Sequence, residues 1–485
     1  MPDSPEPGHA GVERVAPAFL RALGLVYACA FASLWLQIDA LVGPHGISPA
    51  GELLDYARGE LGWQAPLGLP TLLWLTGPSD WALHGLCLGG LIAALVLVAG
   101  RFSLAAASAA WLAYLSLASI GDVFLSFQWD ALLLEAGLVA LFAASAEPRL
   151  GVWLARALLF KLMFLSGAVK LLSGDPTWRD LTALTYHYWT QPLPAATSAL
   201  AASLPGFVQK LSTGLTLAIE LGAPWGMLGP RRVRLASAAI LAALQLLIAA
   251  TGNYGFFNLL TLVLCGCLLD DRALARLPLP RARRSPHALV LARRVAAGAL
   301  AALSLAVMAQ RLTPRGAFPR PLRAALGELA PFRSVNSYGL FAVMTTERPE
   351  ILLEGSADGV EWRDYELRWK PGAPARAPRF SGPHMPRIDW QLWFAALGRC
   401  QDEPWFHRFL QRILEGSKPV TAVFASDPFP DAPPRYLRSS LWQYRLASGE
   451  ERGAGAWWSR ERVGPYCPVV TLREGRLALA DDLPE

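Results

Sequence analysis

Charge is scarce in this chain of 485 residues. Asp, Glu, Lys and Arg make up 17% of the sequence, whereas they make up about 25% of a typical soluble protein. Lysine is especially rare, with five residues among the 44 basic ones. The shortage of charge is concentrated between Phe19 and Met308, where long stretches carry almost none. This composition argues against an ordinary soluble domain and indicates a membrane protein over that part of the chain.

The sequence also lacks the signatures of common enzymes and metal sites. It has no Gly-x-Ser-x-Gly, His-Glu-x-x-His, Walker loop or Cys-x-x-Cys motif, and its seven His are scattered. We therefore expect no metal and no cofactor. The basic residues stand in short clusters between apolar runs, as in the sequence RRVR from Arg231. Such clusters are typical of membrane topology signals and not of nucleic-acid binding, so no nucleic-acid partner is expected.

The apolar runs predict a polytopic α-helical membrane bundle with about nine spans. The first run follows Arg14 and Arg21 and precedes many others, so we expect an uncleaved helix and not a signal peptide. The runs lie at about 18–38, 80–100, 104–120, 127–146, 152–172, 207–228, 234–251, 255–270 and 291–310.

Arginine marks one side of the predicted bundle. Alternate connections, near 119–127 and 251–255, carry no Lys or Arg, whereas the connections on the other side carry between one and seven Arg each. The positive-inside rule then predicts a cytoplasmic amino terminus, and an odd number of spans places everything after Arg311 on the far side. The predicted units are a cytoplasmic tail (1–17), a transmembrane helical domain (18–314) and an exofacial soluble domain (315–485). The membrane would be a bacterial inner membrane, or that of the endoplasmic reticulum in a eukaryote.

Several charges fall inside predicted spans. Asp130 and Glu135 share one span, and Lys161 and Lys170 share the next. Because a charge within a membrane is costly, these groups should face the bundle interior and pair. We predict a shallow pair of Asp130 with Lys170 and a deeper cluster of Glu135, Lys161 and Glu220. Ion pairs that fix the helix register and an acid/base site are both consistent with this pattern.

Residues 174–205 form an aromatic segment that is too short to cross the membrane, so we expect it to lie in the interface. It contains His187, which belongs to the densest set of polar residues on the exofacial side. No second His stands at helical spacing from His187. For His187, a hydrogen-bonded structural role and a role as a base both remain open.

The part after Arg315 is normally charged and predicts an α+β, mostly β domain. We expect strands over 340–346, 351–353, 362–369, 420–425, 441–446 and 469–472, with a hairpin turn at Asp358-Gly359. Two amphipathic helices are expected over Trp390–Gly398 and Trp405–Glu415.

Candidate binding residues follow a Pro-rich loop in this domain, the usual place for recognition groups. For Arg387 and Asp389, binding of a partner protein, here called a client, and mutual pairing are equally consistent with the sequence. Cys400 and Cys467 could form a disulfide or stay as free thiols. The candidate client-binding residues are Arg379, His384, Arg387, Asp389, Trp390 and Trp393.

Five long segments resemble the lipase maturation factor family. They are FQWDALLLEAGLVALF, GDPTWRDLTALTYHYWTQPLP, GNYGFFNLLTL, NSYGLFAVMTTERPEILLEGSADGVEW and GPHMPRIDWQLWFAALG, and the resemblance runs from about residue 20 to about 475. It implies a membrane-anchored, chaperone-like maturation factor whose exofacial domain binds secreted proteins, lipases by resemblance, without turnover. The implied partners are that client and membrane lipids.

A second function class stays open. The membrane part is remotely similar to the helical domain of vitamin K-dependent carboxylases, a relation too distant to transfer any catalytic residue. The alternative is therefore a membrane-embedded enzyme with an exofacial acid/base site, for which Asp130, Glu135, Lys161 and His187 are the candidates.

Overall fold

The computed structural model describes residues 11–145, 147–280, 290–314 and 316–480. Seventeen α-helices form a bundle and the connection that follows it, and a five-stranded sheet with four further helices forms a second domain. The bundle and connecting helices are α1 (Val15–Trp35), α2 (Ile38–Val42), α3 (Ala50–Leu61), α4 (Ala65–Gly68), α5 (Leu73–Thr76), α6 (Asp80–Ala99), α7 (Ser103–Ile120), α8 (Gln128–Ala143), α9 (Pro148–Leu172), α10 (Pro176–Arg179), α11 (Ala183–Thr190), α12 (Ala196–Ala202), α13 (Gly206–Gly226), α14 (Arg231–Thr251), α15 (Phe257–Gly266), α16 (Val290–Leu312) and α17 (Arg320–Leu329).

Within the described ranges, six helices are long and apolar enough to cross a membrane, namely α1, α6, α7, α9, α14 and α16. The predicted count of nine spans is not confirmed. The other three predicted spans correspond to α8, α13 and α15, of which α8 has 16 residues and α15 has 10. The sequence overstated the lengths of α8 and α15 because their apolar runs continue into turns. Cys267 and Leu268, for example, are buried just beyond the end of α15.

Small residues allow the bundle helices to pack closely. A methyl group at Gly24 on α1 would lie 2.9 Å from the Ala94 carbonyl oxygen on α6. At Gly151 on α9, it would lie 2.2 Å from the Ala143 nitrogen at the end of α8. Glycine at these positions permits the backbone contact that replaces hydrophobic driving force inside a membrane.

The two ends of the bundle differ in chemistry. At one end, Arg231 and Arg234 pair with Asp270, at 2.7 and 3.2 Å, and the Arg156 guanidinium donates to the Cys267 carbonyl at 2.8 Å. The other end carries the second domain. Arg-rich connections and the sheet domain therefore lie at opposite ends of the bundle.

The second domain is built on an antiparallel sheet with the strand order β2-β1-β3-β4-β5. One contiguous core of buried residues runs from the bundle into this domain. Its strands are β1 (Arg348–Ser356), β2 (Arg363–Asp364), β3 (Tyr436–Leu446), β4 (Trp458–Arg473) and β5 (Arg476–Leu479), and its helices are α18 (Arg387–Ala396), α19 (Pro404–Leu414), α20 (Lys418–Thr421) and α21 (Gly449–Gly453).

Several predicted elements of this domain are present. The hairpin turn at Asp358-Gly359 joins β1 to β2, with Gly359 at φ +83° and the Asp358 carboxylate accepting from the Val360 and Glu361 amides. The predicted helices correspond to α18 and α19, and the predicted strands at 441–446 and 469–472 lie within β3 and β4.

Two predicted strands were wrong, and a third is short. Residues 340–346 form turns because their polar groups bond to the bundle, as in the 2.5 Å bond from the Met344 amide to Asp175. Residues 420–425 follow Pro419, which favours the first turn of helix α20. The strand predicted over 362–369 is limited to β2.

Candidate functional site

Among the charged groups of the bundle that contact the second domain, Glu135 lies deepest in the bundle. It lies on α8, of whose 16 residues 11 are buried, and it pairs with Lys161 of α9. The other carboxylate oxygen accepts from the Tyr338 hydroxyl at 2.6 Å and from the Asn336 amide at 3.1 Å. Ser304 of α16 lies 3.4 Å from the carboxylate. The predicted Glu135–Lys161 contact is therefore present, and the segment that leads into the sheet domain covers it.

Asp130 connects the bundle to the second domain directly. Its carboxylate accepts from both terminal nitrogens of Arg387, at 2.8 and 2.9 Å, and from the Tyr114 hydroxyl at 2.5 Å. Arg387 also donates to the Phe124 carbonyl at 2.5 Å. Asp130 and Arg387 are 0% and 1% exposed, so this is a fully buried, bidentate ion pair.

The predicted pair of Asp130 with Lys170 is wrong. Lys170 binds both oxygens of Glu220 on α13, at 2.5 and 2.6 Å, and lies 5.0 Å from the Trp178 ring. Glu220 therefore does not belong to the Glu135 cluster either. Helical depth placed Glu220 with Glu135 and Lys161, whereas it pairs with Lys170. Asp130 is taken by Arg387, which lies 257 positions away in the sequence.

His187 lies on α11 in a hydrogen-bonded chain. The Tyr254 hydroxyl donates to the Gln191 side-chain oxygen at 2.6 Å and lies 3.0 Å from the His187 Nε2. Because the hydroxyl has one proton, it accepts from the imidazole, which therefore carries its proton on Nε2. Burial, with a further effect of Lys170, lowers the pKa of His187 to about 3, so the imidazole is neutral.

Half of the candidate client-binding residues lie in the contact between the domains, which we call the seam and define by Asp130, Arg387, Trp390 and Trp393. All four are buried, and so is the neighbouring Asp389. The ring centroids of Trp390 and Trp129 lie 4.7 Å apart, and the Trp393 indole donates to the Thr190 carbonyl at 2.8 Å. These side chains are not accessible to a client in this conformation. A Pro-punctuated loop was expected to expose them, but here the bundle covers them.

Asp389 does not pair with Arg387. Its carboxylate accepts from the backbone amides of Trp369 and Lys370 at 3.0 and 2.9 Å, which fixes the preceding loop to α18. Burial raises the pKa of Asp389 to about 6. The mutual pairing that the sequence left open is therefore not present.

Arg379 and His384 lie on the loop before α18. His384 lies 3.0 Å from the Ser33 hydroxyl, and burial lowers its pKa to about 4, with Arg387 adding to the shift. Arg379 is exposed, as is the neighbouring Phe380 at 52%. Asn253 of the bundle brackets Phe380, because its amide donates to the Arg379 carbonyl at 2.8 Å and accepts from the Ser381 amide at 2.7 Å.

Sequence reasoning missed one buried charge cluster. Arg348 and Glu350 on β1 are 0% exposed and pair at 2.7 Å, and Lys370 reaches Glu350 at 2.8 Å. The Arg348 guanidinium also donates to the carbonyls of Trp189, Gln191 and Pro192 in the interfacial segment, at 2.5–2.9 Å. In the sequence, the only sign of this cluster was that two opposite charges stand next to the apolar residues of a predicted strand.

Cys400 and Cys467 form a disulfide with a Cα–Cα distance of 5.6 Å, which attaches the start of α19 to β4. His407 Nε2 lies 3.2 Å from the Cys400 sulfur. In the described part of the chain, these three residues form a group that could hold a metal ion by proximity. The bonded sulfurs are not thiolates, so they do not have the form that binds zinc.

The candidate acid/base groups are all held by neighbouring side chains. Each acid candidate is bonded to a cation or to several donors, and the neutral His187 is bonded to Tyr254. Glu135 and Lys161 line a cavity of about 290 Å³ between α8, α9 and α16. Loss of one partner from such a buried pair would leave the other charge unpaired, which is costly.

Comparison with known proteins agrees across both parts of the chain. Residues 14–276 match the family model described as the lipase maturation factor transmembrane domain, and residues 334–468 match the lipase maturation factor C-terminal domain. The chain is 36% identical to lipase maturation factor 2 of Homo sapiens and 35% identical to that of Mus musculus, in each case over 95% of this chain and 83% of the relative. It is 31% identical to lipase maturation factor 1 of Mus musculus, over 97% of this chain and 90% of the relative. No solved structure matches.

Proposed function

Because this chain belongs to the lipase maturation factor family, we propose that it is a membrane-anchored factor that helps secreted lipases to reach their active form. The observation that carries the proposal is the match of both family models, over residues 14–276 of the bundle and 334–468 of the sheet domain. We propose a chaperone-like mechanism, in which the domain binds folding intermediates and releases them without chemistry.

The same proposal includes an orientation. We propose that α8, α13 and α15 also cross the membrane, since bundle helices surround the two shorter ones. Nine crossings with a cytoplasmic amino terminus place the sheet domain in the periplasm or the lumen of the endoplasmic reticulum. The separation of the Arg-rich end from the domain end supports this assignment.

The candidate surface for the client is the loop that presents Arg379 and Phe380. Asn253 fixes the backbone on both sides of Phe380, so the exposed aromatic and the cation are held in place before a client arrives. Preorganisation of this kind lowers the entropy cost of binding. Aromatic residues and Arg are also the side chains most enriched at protein interfaces.

The test is lipase maturation in cells. A host lacking this chain and its relatives should secrete a client lipase with low activity per unit of lipase mass, and expression of this chain should restore that ratio. A secreted enzyme that needs no factor serves as the control. An equal ratio with and without the chain would remove the maturation proposal.

One observation favours the alternative of a membrane enzyme, namely that Glu135 and Lys161 line a cavity. Lys161→Met separates the two functions. Under the maturation proposal it lowers the amount of folded protein, because Glu135 loses its counterion, but leaves lipase maturation per molecule unchanged. Loss of maturation at a normal protein level would favour the enzyme.

A further inference from the structure

The bundle contains a second cavity, of about 360 Å³, between α9, α13, α14 and α15. Helix α11 and residues 340–344 cover it on the side of the sheet domain. At its far end lies Met163, nine residues before the end of α9, which corresponds to a depth of about 14 Å along the helix. This volume is within the range of small-molecule sites in proteins.

The wall of the cavity reaches the outer surface of the bundle. Leu215 on α13 and Leu247 on α14 line it, yet they are 56% and 65% exposed. If α13 and α14 cross the membrane as proposed, this surface faces lipid and the cavity opens toward the bilayer. At roughly 30 Å³ per water-sized group, it has room for about a dozen such groups, which is enough for a small head group and the first part of one acyl chain.

The polar groups of the cavity carry no net charge. Lys170 and Glu220 neutralise each other at 2.5 Å, and the Asn258 amide donates to the Gln245 side-chain oxygen at 2.9 Å. A ligand with a charged head group would meet no uncompensated opposite charge among these lining residues. The cavity therefore favours an uncharged ligand.

One acceptor in the cavity wall has no partner. His187 lines the cavity, and its Nε2 carries the imidazole proton toward Tyr254. Its Nδ1 is buried and has no hydrogen-bond partner within the ranges that the structure describes. A buried acceptor without a partner is unfavourable, and a ligand hydroxyl would satisfy it.

We propose that this cavity binds one uncharged, single-chain lipid with a hydroxyl head group, of the monoacylglycerol type. The chain lies along the apolar wall between α13 and α14, and a hydroxyl donates to the Nδ1 of His187. The site is independent of the client loop, so it stands whether or not the chain matures lipases.

The test uses the full-length protein in phosphatidylcholine nanodiscs and a monoacylglycerol with a photoactivatable group in its chain. Peptides of α13 and α14 should be labelled, and unlabelled monoacylglycerol should compete. Thr216→Phe fills the cavity and should reduce labelling about tenfold. Leu211→Phe, on the same helix but exposed and outside the cavity, is the matched control and should leave labelling unchanged. Both variants must keep the wild-type melting temperature. If Thr216→Phe lowers that temperature, Ser212→Phe is used in its place.

The head-group assignment has its own measurement. His187→Phe should weaken competition by monoacylglycerol about tenfold, as expected for one lost hydrogen bond, while a ligand with methylated hydroxyls should compete about equally with both proteins. Equal labelling of the Thr216→Phe and Leu211→Phe proteins would overturn the site, because the probe would then report only surrounding lipid. Equal competition by lysophosphatidylcholine would overturn the uncharged class.

Discussion

Asp130 lies in the first turn of α8, and its buried carboxylate accepts hydrogen bonds from Arg387 and Tyr114. Removal of one partner from such a pair leaves the other buried and charged, which costs more than the pair contributes. The contact also joins two parts of the chain that are 257 residues apart. Contacts of individual residues such as these therefore attach the sheet domain to the bundle.

A double-mutant cycle tests this attachment. Arg387→Met and Asp130→Asn should each lower the free energy of unfolding by about 3–5 kcal/mol, and the double variant should lose about 2 kcal/mol less than the sum. The measurement is denaturant unfolding of the purified protein in detergent. The exposed pair of Arg399 and Asp402 is the control, and its loss should have little effect. Additive effects at Asp130 and Arg387 would contradict direct coupling.

Asp389 gives a prediction for pH. Burial raises its pKa to about 6, above the value of about 3.9 for an unfolded chain, so the folded protein binds the extra proton between these values. Its contribution to stability is therefore largest below pH 4 and falls by about 3 kcal/mol as the pH rises through 6. Asp389→Asn keeps an acceptor oxygen for the amides of Trp369 and Lys370 but removes this titration.

The stability of Asp389→Asn relative to the wild type should therefore increase between pH 4 and 6.5. His384 acts in the opposite direction, because its lowered pKa of about 4 costs stability as the pH falls from 6.5. Since His384 is present in both proteins, its effect cancels in the difference. A difference that does not vary with pH would refute the assignment to Asp389.

The sequence could locate some of these groups but not all. Glu135 and Lys161 were predictable as partners because helical rise sets their depth on adjacent antiparallel helices. Asn336 and Tyr338, which complete that cluster, come from a segment without regular structure, and no periodicity marks their contact with Glu135. The same holds for Arg387, whose partner depends on how the domains meet.

At the scale of elements, the loop before α18 is the proposed client surface, and Asn253 of the bundle holds it. Phe380→Asp and Arg379→Ala should each reduce lipase maturation severalfold without changing the amount of factor, because both side chains are exposed. Val360→Asp, at another exposed position on the β1–β2 turn, is the matched control. The readout is secreted lipase activity divided by lipase mass. An equal effect of Phe380→Asp and Val360→Asp would show that the loop is not the client surface.

Elements with strong local signals were predictable, and elements that depend on contacts between domains were not. The pattern of Phe406, Phe409, Leu410 and Ile413 places one face of α19 in the core, as expected. Residues 340–346 alternate like a strand, yet they bond to Asp175 and Trp178 of the interfacial segment instead of to a neighbouring strand. Tertiary contacts override β-propensity there.

At the scale of the whole molecule, bundle and sheet domain share one buried core and three buried polar contacts: the ion pair of Asp130 with Arg387, the hydrogen bond from Tyr338 to Glu135 and those from Arg348 to the interfacial segment. Such an interface favours a rigid unit, since separation of the domains would leave Asp130 and Arg387 without each other and would break the hydrogen bonds of Glu135 and Arg348. We therefore expect the bundle to position the client loop relative to the membrane surface, in addition to anchoring it.

The most direct test of the central claim is the activity per unit mass of a secreted lipase, measured in cells that lack family members. Expression of this chain should raise that ratio severalfold, the Arg387→Met variant should fail in proportion to its loss of folded protein, and the ratio for an unrelated secreted enzyme should stay constant. If the lipase ratio is the same with and without this chain at normal expression, the account of a maturation factor is contradicted.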